Sequence, residues 1–530
     1  MRRRRKTQSV ADLVLNSFFT TRSDYASMRE SRFEKQLAGV NSSGSGANYH
    51  IAQQNAYFRL MEKARSHDRN DIVVGQGVNR LVDNVVRNGF NLDVQTGNDE
   101  LDKRLSDLWN KWSATPAFCH LNKRCTFSKM EKLTLRHVVV DGDILHLPLD
   151  TGQLETVEAH RLRTATNTSR NVICGVVVDD DGTSVEYWVA PNDVHPLRQI
   201  KRVSDVEKYS AFDSEGNPEV FHIFDARRFS QTRGVTALAP INSIVGMHDD
   251  IQFSQMVKQQ MSSAMGIIRE LKGGIVKPPT SAQLGEQTKE TRNDGSTRII
   301  EEFSPGLYIE GMEGEEFKVF SGNIPNQEFF PHSLLLLTFI AINLNLPVAV
   351  LLLDPSKTNF SGWRGAIDQA RMGFQSLQQM MIEQFHTPVY RWKVRQWMAE
   401  DREIRELAKA GDVVDVFGHS WNPPSWEYIE PNKDAQSDTT ILSNGLNSPR
   451  RVFARRGLDW DKVSDEIVND RGDFIEKAIL KARYLNGKYE EAGVDWRDLA
   501  PLGSPFPITQ PIIENENVNN EDKNGNADAA

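Results

Sequence analysis

Few residues in this 530-residue chain stand at spacings that chemistry requires. Gly75-Gln-Gly77-Val-Asn-Arg80 opens like the glycine-rich turn that brings a dinucleotide pyrophosphate onto a helix N-terminus. Arg80 replaces the third glycine, and the segment lies inside a helical pattern rather than between a strand and a helix. A P-loop ends in Gly-Lys-Ser/Thr, yet Gly487-Lys488 is followed by Tyr489, so ATP hydrolysis by that motif is excluded. Asp179-Asp-Asp-Gly182 is acidic enough for calcium but lacks the ordered oxygen ligands and closing Glu of an EF-hand, and reads as a hairpin turn. Cys119, His120 and Cys125 have no second pair with which to close a zinc site. Gly44-Ser45-Gly46 lies in a linker, not a nucleophile elbow, and His137, His146 and His222 read as strand residues. No catalytic residue, metal ligand or cofactor is assigned. An enzyme acting on nucleic acid or protein stays open as a reading, because a site assembled from distant segments leaves no local motif.

The elements that would position any site follow from pattern. Hydrophobic residues make up 39%, charged residues 25% and aromatics 8%, enough to build cores and to exclude wholesale disorder. The length suggests three or four structural units. A net charge of −9 argues against a broad surface that grips nucleic acid, since phosphate affinity comes from Lys and Arg releasing counterions. Three cysteines, Cys119, Cys125 and Cys174, cannot form a disulfide framework and fit a reducing cytoplasm. No run reaches the ~18 apolar residues of a membrane span; the best, Leu334 to Ile342, reads as a buried helix. The basic start Arg2–Lys6 lacks the apolar run and cleavage site of a signal peptide, so the expectation is a soluble, intracellular protein. That basic run is either a solvated tail or an attachment to nucleic acid or an acidic partner.

Residues 1–49 read as an arm with a hinge at Asn41-Ser-Ser-Gly-Ser-Gly46. Val74, Val78, Leu81 and Val85 mark one face of a helix closed by Asn88-Gly89, and Leu101, Leu105, Leu108 and Trp112 mark a second helix. Val138–Val140, Asp141-Gly142 and Ile144–Leu149 read as a hairpin, as do Val172–Val178, Asp179–Gly182 and Ser184–Val189. A long helix is expected from Thr236 to Leu271, with a Gln- and Met-rich second half suited to packing against copies of itself. A polar insertion follows, with strand-like pieces at Arg298–Phe303 and Phe317–Phe320. A second helix spans Gln327 to Leu346, and then comes a turn-rich loop around Asp354-Pro-Ser-Lys-Thr-Asn359. Asn359 or Ser361 can cap the next helix, whose face is Ile367, Ala370, Phe374, Leu377, Met381 and Phe385. A kink is expected at Pro388, with helical pattern resuming to about Gly411. A Trp/Pro-rich linker, Trp421–Trp426, leads to a small helical unit, and residues 511–530 read as a disordered acidic tail.

In this order the chain resembles the portal proteins of tailed bacteriophages, closest to the lambda-like portal family. Asp225-Ala-Arg-Arg-Phe-Ser-Gln-Thr-Arg-Gly-Val235 with Leu238-Ala-Pro240 is similar to that family's Arg-x-Gly-Gln-x-Arg-Gly-Val segment. Ser304-Pro-Gly306, Phe339-Ile-Ala341 and Leu346-Pro347 look like its Pro-Gly and Ile-Ala…Leu-x-x-Pro signals. Leu353-Asp354 and Thr358-Asn-Phe-Ser-Gly-Trp-Arg364 resemble its Asp…Asn-Tyr-Ser-Ser-x-Arg loop. Trp421…Pro424, Ile429-Glu-Pro-Asn-Lys433 and Asn444-Gly-Leu446 complete a likeness over about residues 50–470. Ser230, Phe360 and Gly362 depart from the family's Gly, Tyr and Ser.

The resemblance implies an α+β portal fold of wing, helical stem, clip and α-helical crown, assembled as a ring around a central channel. By chain order, residues 50–235 would be the wing, 236–272 a stem helix, 273–325 the clip and 326–347 the second stem helix. Residues 348–361 would be the channel loop, 362–432 the kinked helix with the rest of the wing, and 433–510 the crown. It implies a non-enzymatic ring, usually of twelve subunits, at one capsid vertex in the virion, assembled in the host cytoplasm. Double-stranded DNA would pass through it in packaging and ejection. The partners implied are the terminase large subunit, the major capsid protein and scaffold, and head-tail connector proteins, with no membrane. Lys357, Thr358 and Asn359 would then face DNA in the channel, and Arg364 would support the loop. Another head-tail connector is the bland alternative within the same setting.

Overall fold

The computed structural model describes residues 54–168, 171–192, 194–195, 198–263, 267–271, 287–291, 297–301, 315–319, 329–356, 358–409, 411, 413–426, 431–455, 458, 460–489 and 493–499. Its helices and sheets are mixed, as an α+β chain requires. They cluster into two compact units, one of Met1–Arg87 with Leu108–Arg405, the other of Asn88–Asp107 with Glu406–Ala530.

Helices α1 (Gln54–Asn70) and α2 (Ile72–Val86) are the first described elements of the first unit. Asp71 caps α2 by accepting from the Val74 amide at 2.7 Å, and Val74, Val78, Leu81 and Val85 form its buried face as the spacing predicts. The pair Gly75 and Gly77 serves packing: a Cβ on Gly75 would lie 2.6 Å from the Asp68 carbonyl oxygen, and one on Gly77 2.6 Å from Leu344 Cδ1. Strand β1 (Asn91–Val94) and helix α3 (Asp99–Ala114) follow, then the single turn α4 (Pro116–Cys119) and helix α5 (Phe127–Val140).

Helix α5 overturns the first expected hairpin. Thr126 caps it, and Met130, Thr134, Leu135 and Val138 are buried at helical spacing, so the valine run 138–140 ends a helix rather than a strand. Asp141-Gly142 is its C-terminal stop, with both amides donating to the His137 carbonyl and Gly142 at φ +106°. His137 is accordingly a helix residue, whereas His146 and His222 do lie in strands.

Strand β2 (Asp143–Pro148) is central in a three-stranded antiparallel sheet, between β3 (Leu154–Glu158) and β8 (Phe221–Phe224). Strands β4 (Val172–Ile173), β5 (Val176–Val178), β6 (Ser184–Val189) and β7 (Glu207–Ser210) form a second sheet in sequence order. The second expected hairpin is found in β5–β6, where Asp179 Oδ1 accepts from the Thr183 amide at 2.7 Å. Its first strand is cut in two by Cys174-Gly175, both at positive φ. Leu145, Leu147, Val157, Val176, Tyr187 and Val189 share one core, and each fully buried large apolar side chain contributes about 1.5–3 kcal/mol.

Helix α6 (Asn242–Ser263) is shorter than the expected 236–271: Thr236–Ile241 are turns, and Ile267–Leu271 form strand β9. Strands β10 (Gln287–Thr291) and β11 (Thr297–Glu301) pair antiparallel, and β12 (Glu315–Val319) pairs with β9. These pairings place strands at both expected pieces of the insertion. Helix α7 (Phe329–Asn343) is not the buried helix its composition suggests: only Leu336, Ile340 and Ala341 are buried. The short α8 (Val348–Leu352) precedes the long α9 (Phe360–Met381). A π-helical segment, Ile382–His386, joins α9 to α10 (Thr387–Glu400), so the disturbance expected at Pro388 takes the form of a widened turn just before it. Inside it His386 Nε2 meets Glu131 Oε1 at 2.7 Å, both fully buried, and Phe385 stacks on Phe127 at 5.1 Å. Helical structure ends earlier than Gly411, with α11 (Arg402–Leu407) as its last piece.

In the second unit, β13 (His419–Asn422) pairs with β1, which corrects the reading of the Trp/Pro-rich stretch as a plain linker. Helices α12 (Pro431–Ser443), α13 (Pro449–Arg455), α14 (Trp460–Lys488) and α15 (Trp496–Leu499) make the expected helical C-terminal part.

Candidate functional site

The segment singled out by its sequence, Arg233-Gly234-Val235, is the junction from which α6 departs. Arg233 is fully buried and forms a two-point ion pair with Asp143, Nε to Oδ2 at 2.5 Å and Nη2 to Oδ1 at 2.9 Å. Its remaining N–H groups donate to the carbonyls of Ala159 and Cys174. The Gly234 amide donates to Asp143 Oδ2 at 3.0 Å and its carbonyl accepts from the Tyr57 hydroxyl at 2.7 Å. A Cβ on Gly234 would collide with the Gly142 carbonyl, so two glycine backbones touch where α5, β2 and the entry to α6 meet. Burial alone would raise the Asp143 carboxyl, but the Arg233 charge and hydrogen bonds from His222 and Arg233 hold it well below the usual carboxylate range. Burial disfavours the charge on Arg233 too, and Asp143 more than compensates. A pair this well satisfied fixes one geometry; losing one partner strands the other charge.

From that junction, Asn343 Nδ2 donates to the Ala237 carbonyl at 2.9 Å, tying the end of α7 to the root of α6. Further along, His248 Nε2 lies 3.1 Å from Ser333 Oγ and 3.1 Å from Gln252 Nε2. The two helices nevertheless leave much apolar surface uncovered: Phe253 and Met256 on α6, and Phe330, Leu335, Phe339 and Ile342 on α7. Leu335, Phe339 and Ile342 recur at four and three residues, one stripe of a helix that is apolar nearly all round.

The loop after α7 is built by local hydrogen bonds. Asn345, at φ +53°, donates from Nδ2 to the Ala370 carbonyl at 3.1 Å and sits where Gly373 leaves room for it. Leu353 ends α8 in the left-handed region, the Ser356 amide donates to Asp354 Oδ1 at 3.0 Å, and the Thr358 amide donates to the Pro355 carbonyl at 3.0 Å. Asn359 is the helix cap, accepting from the Gly362 amide at 2.7 Å. Thr358 and Asn359 are exposed, Arg364 is half-buried one turn into α9 and engaged by its surroundings, and Lys357 lies outside the described residues. Leu352, Leu353 and Phe360 are exposed beside them. Pattern reading finds the loop and its cap; it misses the Arg233–Asp143 pair, because a lone Asp in a strand carries no signal of a partner ninety residues on.

Elsewhere, burial drives the His146 imidazole down to about 3, held between the hydroxyls of Thr134 at 2.8 Å and Thr156 at 3.0 Å. Among the described residues no group of His, Cys, Asp and Glu has the arrangement of a metal site, and no helix is long and apolar enough to cross a membrane.

Residues 33–378 match the family model described as phage portal protein, lambda family. The chain is 24% identical over 408 residues to a probable portal protein of Halomonas phage phiHAP-1, covering 73% of this chain and 74% of that one. Among solved structures it is similar to a chain of the virion of a native gene transfer agent particle, with a TM-score of 0.41 at 12% identity over 75% of this chain and 92% of the other. A chain of the neck of the native particle gives a TM-score of 0.43 at 12% identity, over 74% and 92%. With the family model spanning well over half of its length, the chain belongs to the lambda family of phage portal proteins.

Proposed function

We propose that this phage portal protein works as a closed ring at one capsid vertex, a structural channel through which double-stranded DNA is packaged and ejected. The observation that carries the ring is the uncovered apolar stripe of α7 beside the exposed Phe253 and Met256 of α6. A monomer exposing it would be prone to self-association, whereas cyclic neighbours would bury it in a closed assembly. On this reading α6 and α7 are the stem, and the paired strands β9–β12 the clip, where the terminase large subunit and later the head-tail connectors dock. The first α+β region is the wing, and α12–α15 the crown. The motor is a separate ATPase, in keeping with a chain that carries no P-loop. The net charge of −9 suits sliding: DNA presents a charge every ~1.7 Å, and a strongly basic channel would hold it.

The loop between α8 and α9 is proposed to face the channel, with Lys357, Thr358 and Asn359 nearest to DNA and Arg364 supporting them. Its rigid local hydrogen bonding and exposure support a contact surface. Capsid protein and scaffold would meet the outer face of the ring in the host cytoplasm. Electron microscopy of the purified protein tests the reading: closed rings with a central hole are expected, and a uniform population of monomers would overturn it.

A further inference from the structure

Phe229 is fully exposed, a large aromatic side chain at the tip of a loop with Arg227 and Arg228 beside it, both also exposed. The loop is not slack. Gln231 clasps it, its Oε1 accepting from the Arg227 amide at 2.9 Å and its Nε2 donating to the Arg233 carbonyl at 2.8 Å. The Gln231 amide donates to the Arg228 carbonyl at 3.1 Å, and the buried Arg233 anchors the far end. A preorganised Phe flanked by Arg has the composition of an interface anchor, since little freedom is lost when it docks.

A surface of opposite character lies at the other end of the same strand. Between β7 and β8, residues Phe212–Glu219 form a tight turn in which Asp213 Oδ1 accepts from the amides of Glu215 and Asn217, each at 2.8 Å. Phe212 is half-exposed and bridged to Pro218, and Glu215 and Glu219 are exposed. The segment carries three carboxylates and no base. Arg395 lies near enough to Asp213 and Glu215 to offset part of that charge, which leaves Glu219 as the least compensated.

Strand β8 separates the two patches, with Glu219 just before it and Asp225 just after it. Four residues of strand advance about 13 Å, which sets the basic loop and the acidic turn apart along the chain. Two separate patches of complementary charge, each with an exposed aromatic residue, suit a head-to-tail contact between copies.

We propose that the Asp225–Gln231 loop of one copy docks on the Phe212–Glu219 turn of the next copy, Phe229 packing on Phe212 and Pro218 while Arg227 and Arg228 meet the carboxylates. The contact rests on the ring reading but is separate from the stem stripe. It places an aromatic and charged clasp between wings, where it would also fix the register of neighbours.

The test uses the full chain with Cys125→Ser, to silence a half-buried thiol, and the pair Phe229→Cys and Glu215→Cys. Mild oxidation of rings is expected to give a ladder of covalent dimers, trimers and higher species in denaturing gels. A second set reads the charges: Arg227→Glu with Arg228→Glu should raise the concentration at which rings dissociate about tenfold, and adding Glu215→Arg with Glu219→Arg should restore it. Rings seen by electron microscopy without a ladder, a bond formed within one chain, or a charge swap that fails to rescue would each overturn the clasp while leaving the ring intact. Failure of the parent chain to form rings would overturn both.

Discussion

The Arg233 guanidinium and the Asp143 carboxylate meet face to face with neither exposed to solvent, and Gly234, the next residue, donates its amide to the same carboxylate. The pair joins the strand at the centre of the first sheet to the segment that enters α6, so β2 and the root of α6 share one buried geometry. Removing one partner leaves the other charged and unpaired. Asp143→Asn or Arg233→Met should lower the stability of the folded chain by about 3–5 kcal/mol, read as a drop in the denaturant midpoint. The double variant Asp143→Asn with Arg233→Met should lose less than the sum of its singles; additive losses would show that the pair is not a coupled unit.

Close backbone approach should be as unforgiving as the ion pair. A Cβ at position 234 would strike the Gly142 carbonyl, and one at 77 would press on Leu344. Gly234→Ala is expected to cost about 3 kcal/mol or more and to give insoluble chain, while Gly77→Ala costs about 1–3 kcal/mol because a side chain can yield. Gly472→Ala, in α14 with open space around it, should be neutral or slightly stabilising. Solubility and thermal melting of the three variants check the order.

Acid sensitivity should begin well above the carboxylate range. His146 folds neutral with its pKa near 3, so between about 6.5 and 3 the unfolded chain takes up a proton that the folded one does not. Stability is then lost as pH falls below about 6.5, at up to about 1.4 kcal/mol per pH unit. Buried His222, also shifted down, acts in the same direction. His137 acts oppositely: burial opposes its charge but the hydrogen bond and charge of Asp141 raise its pKa, so its contribution is full at low pH and fades as pH rises through that value. The stabilisation from Asp143 is present above about pH 4 and is lost only as pH falls through its depressed pKa. His146→Gln should flatten the midpoint between pH 6.5 and 5; an unchanged slope would contradict the assignment.

In the loop, Asn359→Ala should remove the cap of α9 and cost about 1 kcal/mol. Lys357→Ala is expected to leave assembly intact yet alter packaging or retention of DNA, whereas Arg364→Ala also disturbs assembly. Packaging and retention assays in parallel with ring counts separate the two. Wild-type behaviour of the Lys357 variant would remove that residue from the channel.

Periodicity makes much of this fold legible, because it reports which face of an element is buried. Val74, Val78, Leu81 and Val85 give α2, and Ile367 to Phe385 give the long helix, with Asn359, one of the two candidates, as its cap. Local pattern misleads where two structures share it. The β-branched run Val138–Val140 before Asp-Gly mimics a hairpin, and only the Thr126 cap and the spacing back to Met130 favour the helix. Strand β13 escapes notice because its partner, β1, lies more than three hundred residues earlier. The apolar α7 reads as core, and its exposure makes sense once a second copy is allowed to cover it. Of the site, the loop is visible as turn chemistry and Arg233 as part of a motif, while Asp143, His146 and Glu131 acquire their roles only from partners that folding brings to them.

The central claim is that the uncovered faces of α6 and α7 are covered by neighbours in a closed ring. Native mass spectrometry of the intact chain, with scaffold or capsid protein added if needed, addresses it most directly. A single closed oligomer, with Phe339→Asp shifting the population to monomer while the fold survives by circular dichroism, is the result expected. Monomer alone under every condition, or rings indifferent to Phe339→Asp, would contradict it.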